Sequence, residues 1–299
     1  MKEEVNKSMQ GINQQVGENN FTVAIIGIGL IGGSMALALK DKGFAKKVVG
    51  VEANANHAGK ALELGLVDEI ISLEQAIEQS DIIVLSIPVS TCIEILPGML
   101  DKVKKQIVID VGSIKQGLID AVIGHKNRGR FVATHPMWGT EYSGPEAAVK
   151  GAFAGKANVI CNKEESDADA VELIEKLYRT LGMHLVYMNA TDHDVHVAYI
   201  SHISHITSFA LANTVLEKEK EENAIFELAS AGFESTVRLA KSNSAMWVPV
   251  FMQNRENVLD VLNEHISQLR KFKACLEKEN TEYLQELIEN ANKIRKIIK

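Results

Sequence analysis

From Phe21 to about Met188, short apolar runs alternate with amphipathic stretches, the pattern of βαβ units and a parallel sheet. Strands are predicted at Thr22–Ile26, Lys47–Val51, Ile82–Ser86, Gln106–Asp110 and Arg130–Ala133, then at Ala157–Ile160 and His184–Met188. Helical spacing fills the intervals at Leu30–Lys42, Asn56–Leu64, Ser90–Leu100, Ile114–Ile123 and Asp167–Leu181. After Asn189 only the helical period remains. Apolar residues recur at three and four, as in Val195, Tyr199, Ile203 and Ile206, and again over 258–272 and 284–294. From Thr191 onward a single proline (Pro249) and a single glycine (Gly232) interrupt the pattern. The fold predicted is α/β: a Rossmann-type dinucleotide-binding domain over 21–189, followed by an all-α helical domain over 190–299. The last two helices are charged on one face and apolar on the other, which predicts burial against a second subunit and a homodimer. Residues 1–20, polar and without a clear period, read as a mobile lead-in.

Composition narrows the classes. The hydrophobic share of 46% and charged share of 24% are ordinary for a globular chain. A net charge of −7 argues against a nucleic-acid binder, so an anionic ligand must be collected by particular cations. Cys92, Cys161 and Cys275 are widely spaced with no CxxC, which suits a reducing compartment. There is no apolar run of about 18 residues and no signal-like start. The expectation is a cytoplasmic protein without a membrane partner.

The first predicted strand runs into Gly27-Ile28-Gly29-Leu30-Ile31-Gly32, a GxGxxG loop that opens a helix. In that context Gly27 allows the tight turn, Gly29 admits a pyrophosphate to the backbone, and Gly32 lets helix and strand pack closely. The second strand ends at Glu52, an acid placed to accept from ribose hydroxyls and to repel a 2′-phosphate. Ala53 and Asn54 follow with no cation, so NAD is favoured over NADP. Ser86 and Pro88, after the next long strand, lie where strand C-terminal ends open onto a ligand crevice. Ser113, in Asp110-Val111-Gly112-Ser113-Ile114-Lys115, lies at the same edge, although its position also suits a helix N-cap.

The stretch Thr134-His135-Pro136-Met137-Trp138-Gly139-Thr140-Glu141-Tyr142-Ser143-Gly144 reads as neither helix nor strand. Its histidine follows a strand, and an imidazole there could take the proton of an alcohol whose carbon loses hydride. Spacing alone leaves a structural loop histidine equally open.

The series GIGLIGGS, DVGSIK, HPMWGTEYSG and a paired-histidine helix resembles prephenate dehydrogenase over roughly residues 21 to 275. The resemblance implies oxidation of prephenate with loss of carbon dioxide to 4-hydroxyphenylpyruvate, using NAD and no metal. It implies that His135 accepts the ring hydroxyl proton, that Ser113 bridges base, substrate and nicotinamide, and that Thr140 and Glu141 lie near the substrate entrance. Ser201 and His205 match positions lining the substrate site, and Trp247 matches a tryptophan near it. Arg238 lies amid small and apolar residues, so a ligand carboxylate or an internal acid must answer it. The resemblance favours the prephenate carboxylate. Ser235 stands where the family pattern leads one to expect an acid, which puts that arginine's partner in question. With the helical domain running to residue 299, any feedback by tyrosine is expected to act at or near the active site.

His193, His196, His202 and His205 fall within thirteen residues, and His193, Val197, Ser201 and His205 share one face of an ideal helix. Neither HExxH nor a nearby cysteine supports a metal there. His193 and His196 read as solvated, and His202 as either a core or an interface residue. Two other readings are carried forward. One is a β-hydroxyacid dehydrogenase using Lys241, and the other a non-catalytic NAD-binding regulator. Arogenate is the competing substrate.

Overall fold

The computed structural model describes residues 21–222 and 225–297; the expected lead-in over 1–20 lies outside them. Contacts among the described residues cluster into two units, one reaching to Asp194 and including 241–253, the other made of 195–240 with the helices from Asn254 onward. The division is therefore not a single cut, because a helix from late in the chain returns to the first unit.

The first unit is built on an eight-stranded sheet: β1 (Phe21–Ile26), β2 (Ala45–Val51), β3 (Glu69–Ile70), β4 (Ile82–Leu85), β5 (Ile107–Asp110), β6 (Phe131–Pro136), β7 (Ala157–Cys161) and β8 (His184–Met188). Their order is β3-β2-β1-β4-β5-β6-β7-β8. The first six follow the doubly wound dinucleotide-binding order. The sheet is parallel except between β6 and β7, where His135 faces Val159 and Pro136 faces Asn158 in antiparallel register.

Successive residues of a strand point to opposite faces. Val23 and Ile25 of β1 enter one core with Ile82 and Val84 of β4. Ala24 and Ile26 enter the other with Ile83 and Leu85. Apolar residues at every position thus mean that both faces are covered. Helices α1 (Leu30–Asp41), α2 (Ala55–Glu63) and α6 (Ala168–Thr180) line the first face, contributing Met35, Leu39, Ala61, Ile174 and Leu177. On the second face lie α3 (Leu73–Gln79), α4 (Val89–Lys102) and α5 (Gln116–Asp120), with α10 (Ser244–Gln253) contributing Trp247 and Val250.

Periodicity overlooked α3 and the two-residue β3, both too short for a clear period. The signal for α3 was local: Ser72 accepts from Gln75 N–H while the Gln75 side chain accepts from Ser72 N–H, a capping box.

The second unit is helical. The chain passes from α7 (Ala190–Val197) through a π-helical turn (Ala198–His202) into α8 (Ile203–Glu222), followed by α9 (Ala231–Val237), α11 (Arg255–Glu277) and α12 (Thr281–Asn292). Hydrogen bonds join α8 and the π turn to α11: Thr207 Oγ1 to His265 Nε2 at 3.2 Å and Tyr199 Oη to Glu264 at 2.8 Å.

Candidate active site

The glycine loop follows from packing. Gly27 has φ of +89°, and a Cβ there would come within 2.5 Å of the Ser86 carbonyl oxygen. A Cβ on Gly32 would meet the Gly27 carbonyl oxygen at 2.1 Å. Gly29 differs, since nothing lies within 4 Å of the position its Cβ would take. The loop thus presents open backbone at Gly29 and at the α1 N-terminus, where Leu30 and Ile31 begin the helix. That is a fitting cradle for a pyrophosphate. Beside it the Glu52 carboxylate accepts Ile28 N–H and Asn54 N–H, both at 3.0 Å. One lone pair remains on each oxygen for hydroxyl donors. Ser86 is half-buried and Pro88 exposed at the end of β4.

His135 is a residue of β6 and not of a loop, so the expected irregular stretch begins only at Met137. The antiparallel partner β7 extends the strand, and Met137 N–H continues the pairing to the Ala157 carbonyl at 2.8 Å. Proline is tolerated within this strand because Pro136 closes it. Trp138 packs edge-to-face on Phe153, ring centroids 5.6 Å apart, against the first core. Thr140 and Glu141 are half-buried. Beyond them Gly144 turns the chain back with φ of +87°, and Val149 N–H donates to Ser34 Oγ of α1 at 2.9 Å. The segment after His135 is therefore pinned to the cofactor helix.

Ser113 is half-buried, and it is not the N-cap of α5; that helix begins at Gln116. Asp194 takes the capping role from 78 residues away, its carboxylate accepting Lys115 N–H at 2.8 Å and Gln116 N–H at 2.9 Å. Beneath the turn, the fully buried Lys115 ammonium donates to the fully buried Asp110 carboxylate. Burial pushes the Asp110 carboxyl up, opposed by Lys115 and by the N–H groups of Gly112 and Thr134. Removing either partner would leave a stranded charge.

His193, expected to be solvated, is 1% exposed. Its Nε2 lies 2.8 Å from His135 Nδ1, and its own Nδ1 lies 2.7 Å from Asp194 Oδ1. Burial holds its pKa below the ordinary 6.5, with the Asp194 carboxylate opposing and Lys115 adding to the shift. Asp110, Lys115, His193 and Asp194 are the site-building residues that periodicity did not reveal. The clue for Asp110 was an acid closing an otherwise apolar strand. Nothing local marked His193.

The face that His193, Val197, Ser201 and His205 would share on an ideal helix is broken by the π turn. Its wider turn shifts the register by a residue, so His202 is fully buried and Ser201 half-buried. His202 Nδ1 lies 3.2 Å from Asn254 Nδ2, which makes it a core residue of the second unit. His196 is exposed. His205 is half-buried, its Nδ1 3.1 Å from the Ser201 carbonyl oxygen; burial lowers its pKa, the Ser201 carbonyl opposes this, and Arg238 lowers it further. Arg238 is exposed in a short 3-10 turn, so the burial argument for a compensating carboxylate fails. Its nearness to His205 is what the fold supplies. Trp247 is 7% exposed in the first unit, 5.3 Å from Phe251 between ring centroids, and belongs to the core there. Among the described residues, no group of three His, Cys, Asp or Glu is arranged to hold a metal ion. Nor is any helix among them long and apolar enough to cross a membrane.

Sheet order and glycine cradle define the first unit as a doubly wound nucleotide-binding unit, with a histidine at the C-terminal end of a neighbouring strand. The family model "Prephenate dehydrogenase, nucleotide-binding domain" matches residues 35–187, and "Prephenate dehydrogenase, dimerization domain" matches residues 189–290. Prephenate dehydrogenase of Bacillus subtilis (strain 168) is 30% identical over 278 residues, 92% of this chain and 75% of that protein. The structure of prephenate dehydrogenase from Aquifex aeolicus in complex with hydroxyphenyl propionate and NAD+ superposes with a TM-score of 0.85. It is 30% identical and covers 93% of this chain and 98% of its own. Synechocystis arogenate dehydrogenase superposes with a TM-score of 0.73 at 25% identity, covering 92% and 99%. The chain belongs to the prephenate dehydrogenase family, and it is an oxidoreductase.

Proposed function

We propose that the protein oxidises prephenate to 4-hydroxyphenylpyruvate with loss of carbon dioxide, using NAD+. The observation that carries this reading is His135, an imidazole at the C-terminal end of β6, on the sheet edge that also bears the glycine cradle and Ser113. The Gly27–Gly32 loop, Ser86 and Pro88 hold the cofactor, and Glu52 accepts from its adenosine ribose hydroxyls. Bound there, NAD+ supplies the hydride acceptor. His135 takes the proton of the ring hydroxyl, and Ser113 orients that hydroxyl by hydrogen bonding. Departure of the ring carboxylate as carbon dioxide then restores aromaticity and makes the reaction one-way. Arg238 holds a substrate carboxylate, Ser201 and His205 contact the substrate, and Thr140 and Glu141 lie near its entrance. Trp247 acts through packing, given its burial.

The Aquifex aeolicus likeness, solved with NAD+, supports the cofactor assignment. Arogenate is the second reading, favoured by the Synechocystis likeness. We assign a homodimer formed by the helical unit, on the dimerization-domain match and on the apolar residues that α11 leaves exposed. A cytoplasmic setting accords with three free, buried cysteines.

The test is nucleotide reduction with prephenate and with arogenate, each with NAD+ and NADP+. Prephenate with NAD+ should give the highest kcat/KM, and a preference for arogenate would replace the substrate assigned. His135→Asn should lower kcat by about 10²- to 10⁴-fold with little change in KM. Undiminished turnover would remove His135 from its role.

A further inference from the structure

We infer that His193 is a positioning residue for His135: it holds that imidazole with Nδ1 protonated, and Asp194 in turn fixes His193. The inference rests on the proposed role of His135 as base, and it says which nitrogen does the work and why.

The protonation pattern follows from hydrogen-bond bookkeeping along one chain of atoms. Asp194 accepts two backbone N–H groups, from Lys115 and Gln116, and is 4% exposed. A carboxylate so held is an acceptor only. The His193 nitrogen 2.7 Å from it, Nδ1, must therefore carry the proton. Burial keeps His193 neutral, and a neutral imidazole has one N–H, so its Nε2 is an acceptor. The His135 nitrogen 2.8 Å from that Nε2 is Nδ1, which must be the donor. His135 Nε2 is then the nitrogen with the lone pair. A proton leaving the substrate hydroxyl lodges on Nε2 while Nδ1 keeps its own, and no proton leaves His193. The imidazolium formed on His135 directs its Nδ1–H through His193 toward the Asp194 charge, which stabilises the cation.

The anchor is rigid. Asp194 is tied to the α5 entry turn, and the same turn is braced from below by the buried Lys115–Asp110 pair. Base and Ser113 are thus mounted on one network. The charged groups that act on the His193 ring are Asp194, Lys115 and Asp110, and all three persist when His193 is changed.

Three variants of the full chain test this: His193→Phe, which can neither donate nor accept, His193→Gln, which can do both, and Asp194→Asn. Steady-state kinetics are measured across pH, with NAD+ affinity and thermal midpoint as controls on the fold. His193→Phe should lower kcat about 10- to 100-fold with KM for prephenate changed by no more than about twofold. Its acid limb in the kcat–pH profile should move to lower pH, because the imidazolium has lost support. His193→Gln should recover most of the loss, and Asp194→Asn should shift the limb in the same direction. A fall in kcat with an unmoved acid limb in all three variants would show a merely structural role and overturn the inference. So would wild-type kcat in His193→Phe. Should His193→Phe fail to fold, Asp194→Asn and His193→Gln decide alone: an unmoved limb in Asp194→Asn, or no activity in a folded His193→Gln, overturns it. His135→Asn, run alongside, separates the two claims. If it retains turnover the base assignment fails; if it is inactive while His193→Phe is normal, only the positioning role fails.

Discussion

Gly29, the N-cap of α1, and Gly32, in its first turn, stand three residues apart, and their surroundings are opposite. A methyl group on Gly32 would strike the Gly27 carbonyl, whereas one on Gly29 enters open space. Gly32→Ala should therefore lower the thermal midpoint, through overpacking worth about 1–3 kcal/mol. Gly29→Ala should leave the midpoint near wild type and raise KM for NAD+ instead. Circular-dichroism melts beside kinetics of both variants check this, and a Gly29→Ala enzyme with unaltered KM would place the cofactor elsewhere. At this scale the sequence was informative, since glycine spacing after a strand has one good structural explanation. Arg238 shows the limit: apolar neighbours along the chain implied burial, yet the side chain is exposed because those neighbours lie on a short helix and a turn with solvent around them.

At the scale of elements, α7 carries a titratable group into the core. His193 is buried there, and its pKa is depressed first by burial. Above the ordinary value of 6.5 the group is neutral in both folded and unfolded chains and contributes no pH dependence. Below it the unfolded chain takes the proton first, so stability declines as pH falls toward the folded-state value. The urea midpoint should drop between about pH 7 and about pH 5, and less steeply in His193→Gln. Equal slopes would mean that His193 does not titrate differently on unfolding. Element boundaries were legible wherever apolar runs are long, as in β1, β4 and α6. They failed at β6, whose last residues are strand only because β7 pairs with them antiparallel. The π turn was equally hidden, since an ideal helical wheel assumes 3.6 residues per turn throughout.

The whole molecule raises the question of what covers α11. Leu259, Ile266, Leu269 and Leu276, spaced by seven, three and seven, are 42%, 36%, 55% and 68% exposed. That is one stripe at the spacing of a helix–helix seam. Leu269→Asp should convert the proposed homodimer to a monomer in size-exclusion chromatography with light scattering. An unchanged dimer mass would place the interface elsewhere.

The sequence by itself determined the class of fold, the glycine cradle and the acid that follows β2, because each is set by residues close in the chain. Local sterics and short-range periodicity suffice for these. Only the tertiary structure decided that His135 meets His193 and that Asp194 caps α5, contacts that span 58 and 78 residues. It also decided that Lys115 and Asp110 are buried as a pair. Such contacts depend on how strands and helices stack, and a one-dimensional pattern carries no record of which buried polar group answers which.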